Sequence, residues 1–132
     1  MNVMNEEIRD QLIAQACLVR EKAYARYSDF KVGAALLTDT GQIVTGCNVE
    51  NSSYGLTNCA ERTAIFSAVS QGYQRFVAIA IASSGGVPPC GACRQVLAEF
   101  SLDLPILLID VLKPGQVVET NLAQLFPGPF RL

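Results

Sequence analysis

Three cysteines, a glutamate and an arginine fall in two short stretches, TNCAERTAIF at 57–66 and PPCGACRQVL at 88–97. Cys90 and Cys93 are three residues apart, so on a helix they share a face and make the C-x-x-C half of a zinc site. Cys59 supplies the third sulfur, because the chain contains no histidine and the other two cysteines, Cys17 and Cys47, lie in segments that read as apolar core. A structural zinc takes four protein ligands, whereas three leave a position for water. Each of the three cysteines lies where a helix is expected to begin. Free backbone N–H groups and partial positive charge there favour the thiolate, the form that binds metal.

Glu61 admits two readings. Asn58 followed three residues later by a glutamate, just before an apolar run, is the pattern of a helix capping box. Two residues beyond a metal ligand at a helix end, the same carboxylate is placed to move protons to and from water. Arg62 is oddly placed for a surface cation, since an arginine in the first turn opposes the helix dipole. Three residues after Cys59 it lies on the same helical face, where it can donate to thiolates and offset the charge of about -1 that three sulfurs leave around a dication. Two rival readings explain less. CGAC after a strand also fits a thioredoxin-like redox motif, which leaves Cys59 and Glu61 without a role, and a structural zinc knob lacks its fourth ligand.

The elements that must carry these residues are legible in outline. A chain of 132 residues, half of them apolar and 17% charged, closes one domain around a real core. The net charge of -2 comes without a basic block, so no nucleic-acid footprint is expected. No apolar run approaches the ~18 to 20 residues of a membrane span. The opening MNVMNEEIRDQ lacks the form of a secretory signal, which predicts a cytoplasmic protein in which an odd set of five cysteines stays reduced. A helix is expected over 5–26, capped by Asn5, with Ile8, Leu12, Ala16, Val19 and Ala23 as its apolar stripe. VGAALLTD and IVTGCN flank Asp39, Thr40 and Gly41 as a hairpin, while FVAIAIAS and PILLID read as strands buried on both faces. Helices over about 59–71 and 91–101 cross between the later strands, and a tail follows. The sum is a three-layer α/β/α sandwich with a mixed sheet.

Beyond the zinc segments the sequence carries FKVGAALL, GCNVENSSYG and LFPGPF. Cys-x-Glu with P-C-x-x-C is the signature of the zinc nucleoside and base deaminases, and nearly end to end the chain resembles the small, homotetrameric, three-cysteine cytidine deaminases. Lys31 is the one departure, standing where that family usually has proline. The resemblance implies a five-stranded sheet, one Zn2+ per subunit and no organic cofactor. It further implies hydrolytic deamination of cytidine and 2'-deoxycytidine in pyrimidine salvage, with no nucleic-acid or membrane partner. Glu61 would shuttle protons from water to N3 and the 4-amino group. Asn48 and Glu50 would hold the ribose hydroxyls, Phe30 and Tyr54 would pack the nucleoside, and backbone groups of Ala60 and Pro89 would orient the base. Phe130 would reach the pocket of a neighbouring subunit. Within the deaminases a blasticidin-type enzyme is the nearest alternative, and CAER, with Arg62, resembles the cytidine enzymes.

Overall fold

The computed structural model describes residues 4–132. Helix α1 (Glu6–Arg20) opens at Asn5, whose side-chain oxygen accepts the Ile8 N–H at 2.8 Å, with Glu6 and Glu7 in its first turn, where negative charge suits the helix dipole. The helix stops at Arg20, six residues short of the end that the apolar periodicity predicts. Tertiary pairing takes over: the Tyr24 N–H donates to the Asn48 carbonyl at 3.0 Å, and the Glu50 N–H donates to the Tyr24 carbonyl at 2.8 Å. Asp29, with φ of 57°, then turns the chain into the segment that begins at Phe30, a left-handed conformation that Asp tolerates better than most residues.

Strands β1 (Gly33–Thr38) and β2 (Ile43–Cys47) form the expected hairpin, turning at Gly41 with φ of 90°. After a single 3-10 turn at Tyr54–Leu56 come α2 (Ala60–Ser70), β3 (Phe76–Ser83), α3 (Gly91–Phe100) and β4 (Pro105–Asp110). The tail is not featureless, because β5 (Val117–Asn121) and the short α4 (Leu122–Leu125) occupy it. The sheet order is β2-β1-β3-β4-β5, parallel only between β3 and β4, where the α3 crossover demands it. β5 eluded the strand pattern as a short edge strand, whose Val118 and Glu119 face solvent in sequence order rather than alternating.

Helix α1 buries Leu12 and Ala16 against Ala35, Leu37, Ala78 and Ala80 on one face of the sheet. On the other face α2 and α3 pack Ala64, Ile65, Ala68 and Leu97 against Leu36, Ile79, Ile81 and Ile106. The expected sandwich and its mixed five-stranded sheet are therefore present. Cys17 and Cys47 are half-buried rather than core.

One glycine decides how closely the site's helix lies on the sheet. A Cβ at Gly46 would sit 2.4 Å from the Ala64 amide nitrogen and 2.8 Å from the Ala60 carbonyl oxygen, both backbone atoms of α2. Only a hydrogen fits there, and the first turn of α2 settles onto β2. Gly46→Ala is expected to push α2 outward and to destabilise the protein by about 3 kcal/mol, the upper end of ordinary overpacking. Denaturant midpoints measure this, and an unchanged midpoint would refute the close approach.

Candidate metal centre and adjoining cavity

Cys59 is the N-cap residue of α2 and Cys90 that of α3, both with extended backbone, and Cys93 lies in the first turn of α3. The Cys59 carbonyl accepts the Thr63 N–H at 3.0 Å and the Thr63 hydroxyl at 3.1 Å, which fixes its turn. Neither cysteine side chain caps its helix, so both sulfurs are free to point off the helix ends. They converge: Cys59 Sγ lies 3.8 Å from Cys90 Sγ, Cys90 Sγ lies 3.5 Å from Cys93 Sγ, and all three are within 4.8 Å of one another. A Zn–S bond of about 2.3 Å with tetrahedral angles requires sulfurs roughly 3.8 Å apart. The three-sulfur set thus has the chemistry and the spacing of a zinc site with one position left over.

The surroundings favour deprotonation of one sulfur, that of Cys59. Cys59 is pulled down to about 5, first by the Cys93 thiol that donates to it and then by the Arg62 guanidinium, whose Nη2 lies 3.3 Å from Cys59 Sγ. Cys93 is pushed up by holding that proton and by burial. The Nε of Arg62 is buried and has no acceptor among the described residues. The Cys59 thiolate is the anionic partner that an arginine early in α2 needs.

The capping-box reading of Asn58 and Glu61 does not hold. The N-cap is Cys59, and Asn58 spends its side-chain amide on the Thr63 hydroxyl at 3.1 Å. Glu61 is only 5% exposed, and its carboxyl is raised to about 7, mainly by burial and then by the Cys59 thiolate. A buried carboxyl that titrates near neutrality is suited to giving and taking protons.

A cavity of about 450 Å³ is lined by Phe30, Asn48, Glu50 and Tyr54 together with Tyr27, Ser28, Asn51, Ser52 and Thr57. Two backbone hydrogen bonds of 3.0 Å between Val49 and Asn58 tie its wall to the residue before Cys59. Glu50 is locked in place. Its carboxylate accepts from the Ser28 hydroxyl and from the Tyr27 and Ser28 N–H groups at 2.9 and 3.1 Å, and is held below the usual carboxylate range, chiefly by that hydroxyl. Asn48 bridges the facing loop, donating to the Phe30 carbonyl at 2.8 Å and accepting the Val32 N–H at 2.9 Å. Arg20 Nε adds a bond of 2.9 Å to the Lys31 carbonyl, so the loop is gripped through groups that a proline at position 31 would also present. The polar lining residues Tyr27, Ser28, Ser52 and Thr57 carry no spacing signal, and sequence reasoning did not single them out.

Ala60 and Pro89 are fully buried beside the sulfurs. Tyr54 is 89% exposed and Phe130 70% exposed. Phe130 is not among the residues lining the cavity of its own chain; its carbonyl is held by Gln95 Nε2 at 3.0 Å along α3.

The sequence model of the cytidine and deoxycytidylate deaminase zinc-binding region matches residues 6–107. A cytidine deaminase of Sporosarcina psychrophila is 52% identical over 124 residues, which span 92% of this chain and 90% of that protein. A blasticidin-S deaminase of Bacillus cereus is 35% identical over 119 residues, 81% of this chain and 83% of that one. The crystal structure of cytidine deaminase from Burkholderia pseudomallei superimposes with a TM-score of 0.87 at 49% identity and covers 96% of this chain and 100% of its own.

Proposed function

Because the chain belongs to the cytidine and deoxycytidylate deaminase family, we propose that it deaminates cytidine and 2'-deoxycytidine hydrolytically, giving uridine or 2'-deoxyuridine and ammonia. The observation that carries this reading is the convergence of three sulfurs within 4.8 Å beside Glu61, a glutamate only 5% exposed. Cys59, Cys90 and Cys93 hold one zinc. Zinc bound there supplies a Lewis acid that makes water acidic at neutral pH. Glu61 takes the two protons of the attacking water in turn and delivers one to N3 and the other to the 4-amino nitrogen of cytosine, so that the water oxygen replaces the amine and ammonia leaves. Arg62 draws charge from the sulfurs. Backbone groups of Ala60 and Pro89 orient the base, Phe30 and Tyr54 pack the nucleoside, and Asn48 and Glu50 hold the ribose hydroxyls. A fixed carboxylate at the sugar repels a phosphate, which favours a nucleoside over a nucleotide. The role is pyrimidine salvage in the cytoplasm, with no nucleic-acid or membrane partner. No helix among the described residues is long and apolar enough to cross a membrane.

Incubation with cytidine, deoxycytidine, cytidine monophosphate and blasticidin, following the loss of cytosine absorbance, tests the substrate. Turnover of both nucleosides and neglect of the nucleotide are expected. Turnover of blasticidin alone would replace the reading.

The working unit is a homotetramer whose pockets are shared. Exposed Phe130, Tyr54, Leu56 and Phe66 need cover that the described residues of one chain do not provide. Phe130→Ala is expected to raise KM roughly 30-fold, the ~2 kcal/mol of a central aromatic contact, at unchanged zinc content. Mixing those chains with Glu61→Gln chains creates sites with an intact Glu61 and a partner's intact Phe130, and tight binding should partly return. No recovery after verified subunit exchange would place Phe130 in its own chain's packing.

A further inference from the structure

Helix α3 holds two of the metal-binding sulfurs, and the turn that delivers Cys90 to it, 84–90, is tethered at several points. The Gly85 N–H donates to Asp110 Oδ1 at 2.9 Å and the Val87 N–H to Ser83 Oγ at 2.9 Å. Those bonds hold the early part of the turn. Its last peptide, Pro89–Cys90, is held differently. Pro89 has no N–H, so its carbonyl is its only hydrogen-bonding backbone group, and Arg94 Nε donates to that carbonyl at 2.7 Å from one turn inside α3.

The other end of the same guanidinium reaches across the molecule. Arg94 Nη1 donates to the Leu125 carbonyl at 2.6 Å, at the last residue of α4, where helical carbonyls lack intrahelical partners. Downstream, Gln95 holds the Phe130 carbonyl, and Arg131 Nη1 donates to the Ala98 carbonyl at 3.0 Å. The C-terminal arm therefore lies along α3, and Arg94 touches both the arm's root and the peptide before Cys90. Both bonds are charge-assisted and come from one rigid planar group, so the distance between the two carbonyls is set by the guanidinium.

We propose that Arg94 is a positioning residue that clamps the Pro89–Cys90 peptide to the Leu125 carbonyl, so that the C-terminal arm holds the metal-bearing loop in register. This rests on the reading of Cys59, Cys90 and Cys93 as zinc ligands. It makes the site sensitive to a segment that contributes nothing to its sulfur set. Lysine keeps the charge but offers a single compact ammonium that cannot span both carbonyls, so charge and bridging can be separated.

The experiment compares the zinc-loaded parent with Arg94→Gln, Arg94→Lys and Gln95→Ala. Zinc transfer to a chromophoric chelator, kcat and KM, and amide hydrogen exchange are measured on each. Both Arg94 variants are expected to release zinc about tenfold faster or more, the low end of what outer-shell partners contribute, with kcat falling. Exchange should quicken together in 84–93 and in 122–131. Gln95→Ala, which removes the tie to the Phe130 carbonyl and leaves the Arg94 bridge intact, should release zinc at the parental rate. Parental zinc release and exchange in Arg94→Lys would show that charge alone suffices and overturn the clamp. If the glutamine chain does not fold, the lysine chain decides by the same readouts. A parent that holds no zinc and ignores cytidine would sink the functional reading, while the paired loss of exchange protection would still judge the clamp.

Discussion

Glu61→Gln is expected to retain zinc, fold and nucleoside binding while losing about 10²- to 10⁴-fold in kcat, the range that a positioned general acid–base contributes. The amide matches the carboxyl in shape and hydrogen-bonding reach but cannot exchange a proton with water or with the base. The position makes the loss severe, because Glu61 lies in the first turn of α2, is 5% exposed and is raised to about 7. Few other groups nearby could take its place, since the chain has no histidine. Burial that raises a carboxyl's folded value costs stability as pH climbs from its ordinary value through about 7. The amide carries no such cost, so the metal-free variant should melt at or above the metal-free parent at pH 8. Zinc content by plasma emission, melting curves and steady-state rates check the three parts separately. Loss of zinc in this variant would make Glu61 a ligand rather than a proton carrier.

The metal centre was legible in the sequence because ligation restricts both residue type and spacing. With no histidine in the chain, C-x-x-C at 90–93 had few possible companions, and Cys59 at a helix start was the one not absorbed by apolar surroundings. The two buried central strands were legible for a related reason, since continuous apolar runs as long as FVAIAIAS leave little choice. Other features depended on long-range pairing that has no local mark. Nothing in REKAYARY announces that the helix must end at Arg20 so that Tyr24 can pair with the segment around Val49. Asn58 carried a genuine capping pattern, yet its side chain turned to Thr63 while Cys59 took the cap position. The polar lining of the cavity was the least legible part. Ser28 and Thr57 become lining residues only because Asp29 bends the chain back and Val49 pairs with Asn58.

Cys93→Ala is expected to strip the protein of zinc, abolish measurable turnover and cost more stability than the matching changes at Cys59 and Cys90. All three remove a sulfur, and two sulfurs do not make a zinc site in a chain without histidine. What separates them is the metal-free remainder. Cys90 is exposed and Cys59 half-buried, so alanine there leaves little unfilled space, whereas Cys93 is fully buried between the starts of α2 and α3. Metal occupancy itself stabilises by mass action, about 4 kcal/mol when free zinc is a thousandfold above its dissociation constant. Chelation removes that contribution from the parent. Cys90→Ala should therefore melt close to the chelated parent, while Cys93→Ala should melt below it by the cost of a small internal cavity, about 1–2 kcal/mol. Calorimetry on the chelated parent and the three variants gives the comparison. Zinc retained at full occupancy by Cys93→Ala would break the ligand assignment. A melting point equal to that of the chelated parent would instead mean that α2 and α3 close over the missing sulfur, so that the metal alone holds the two helix starts apart.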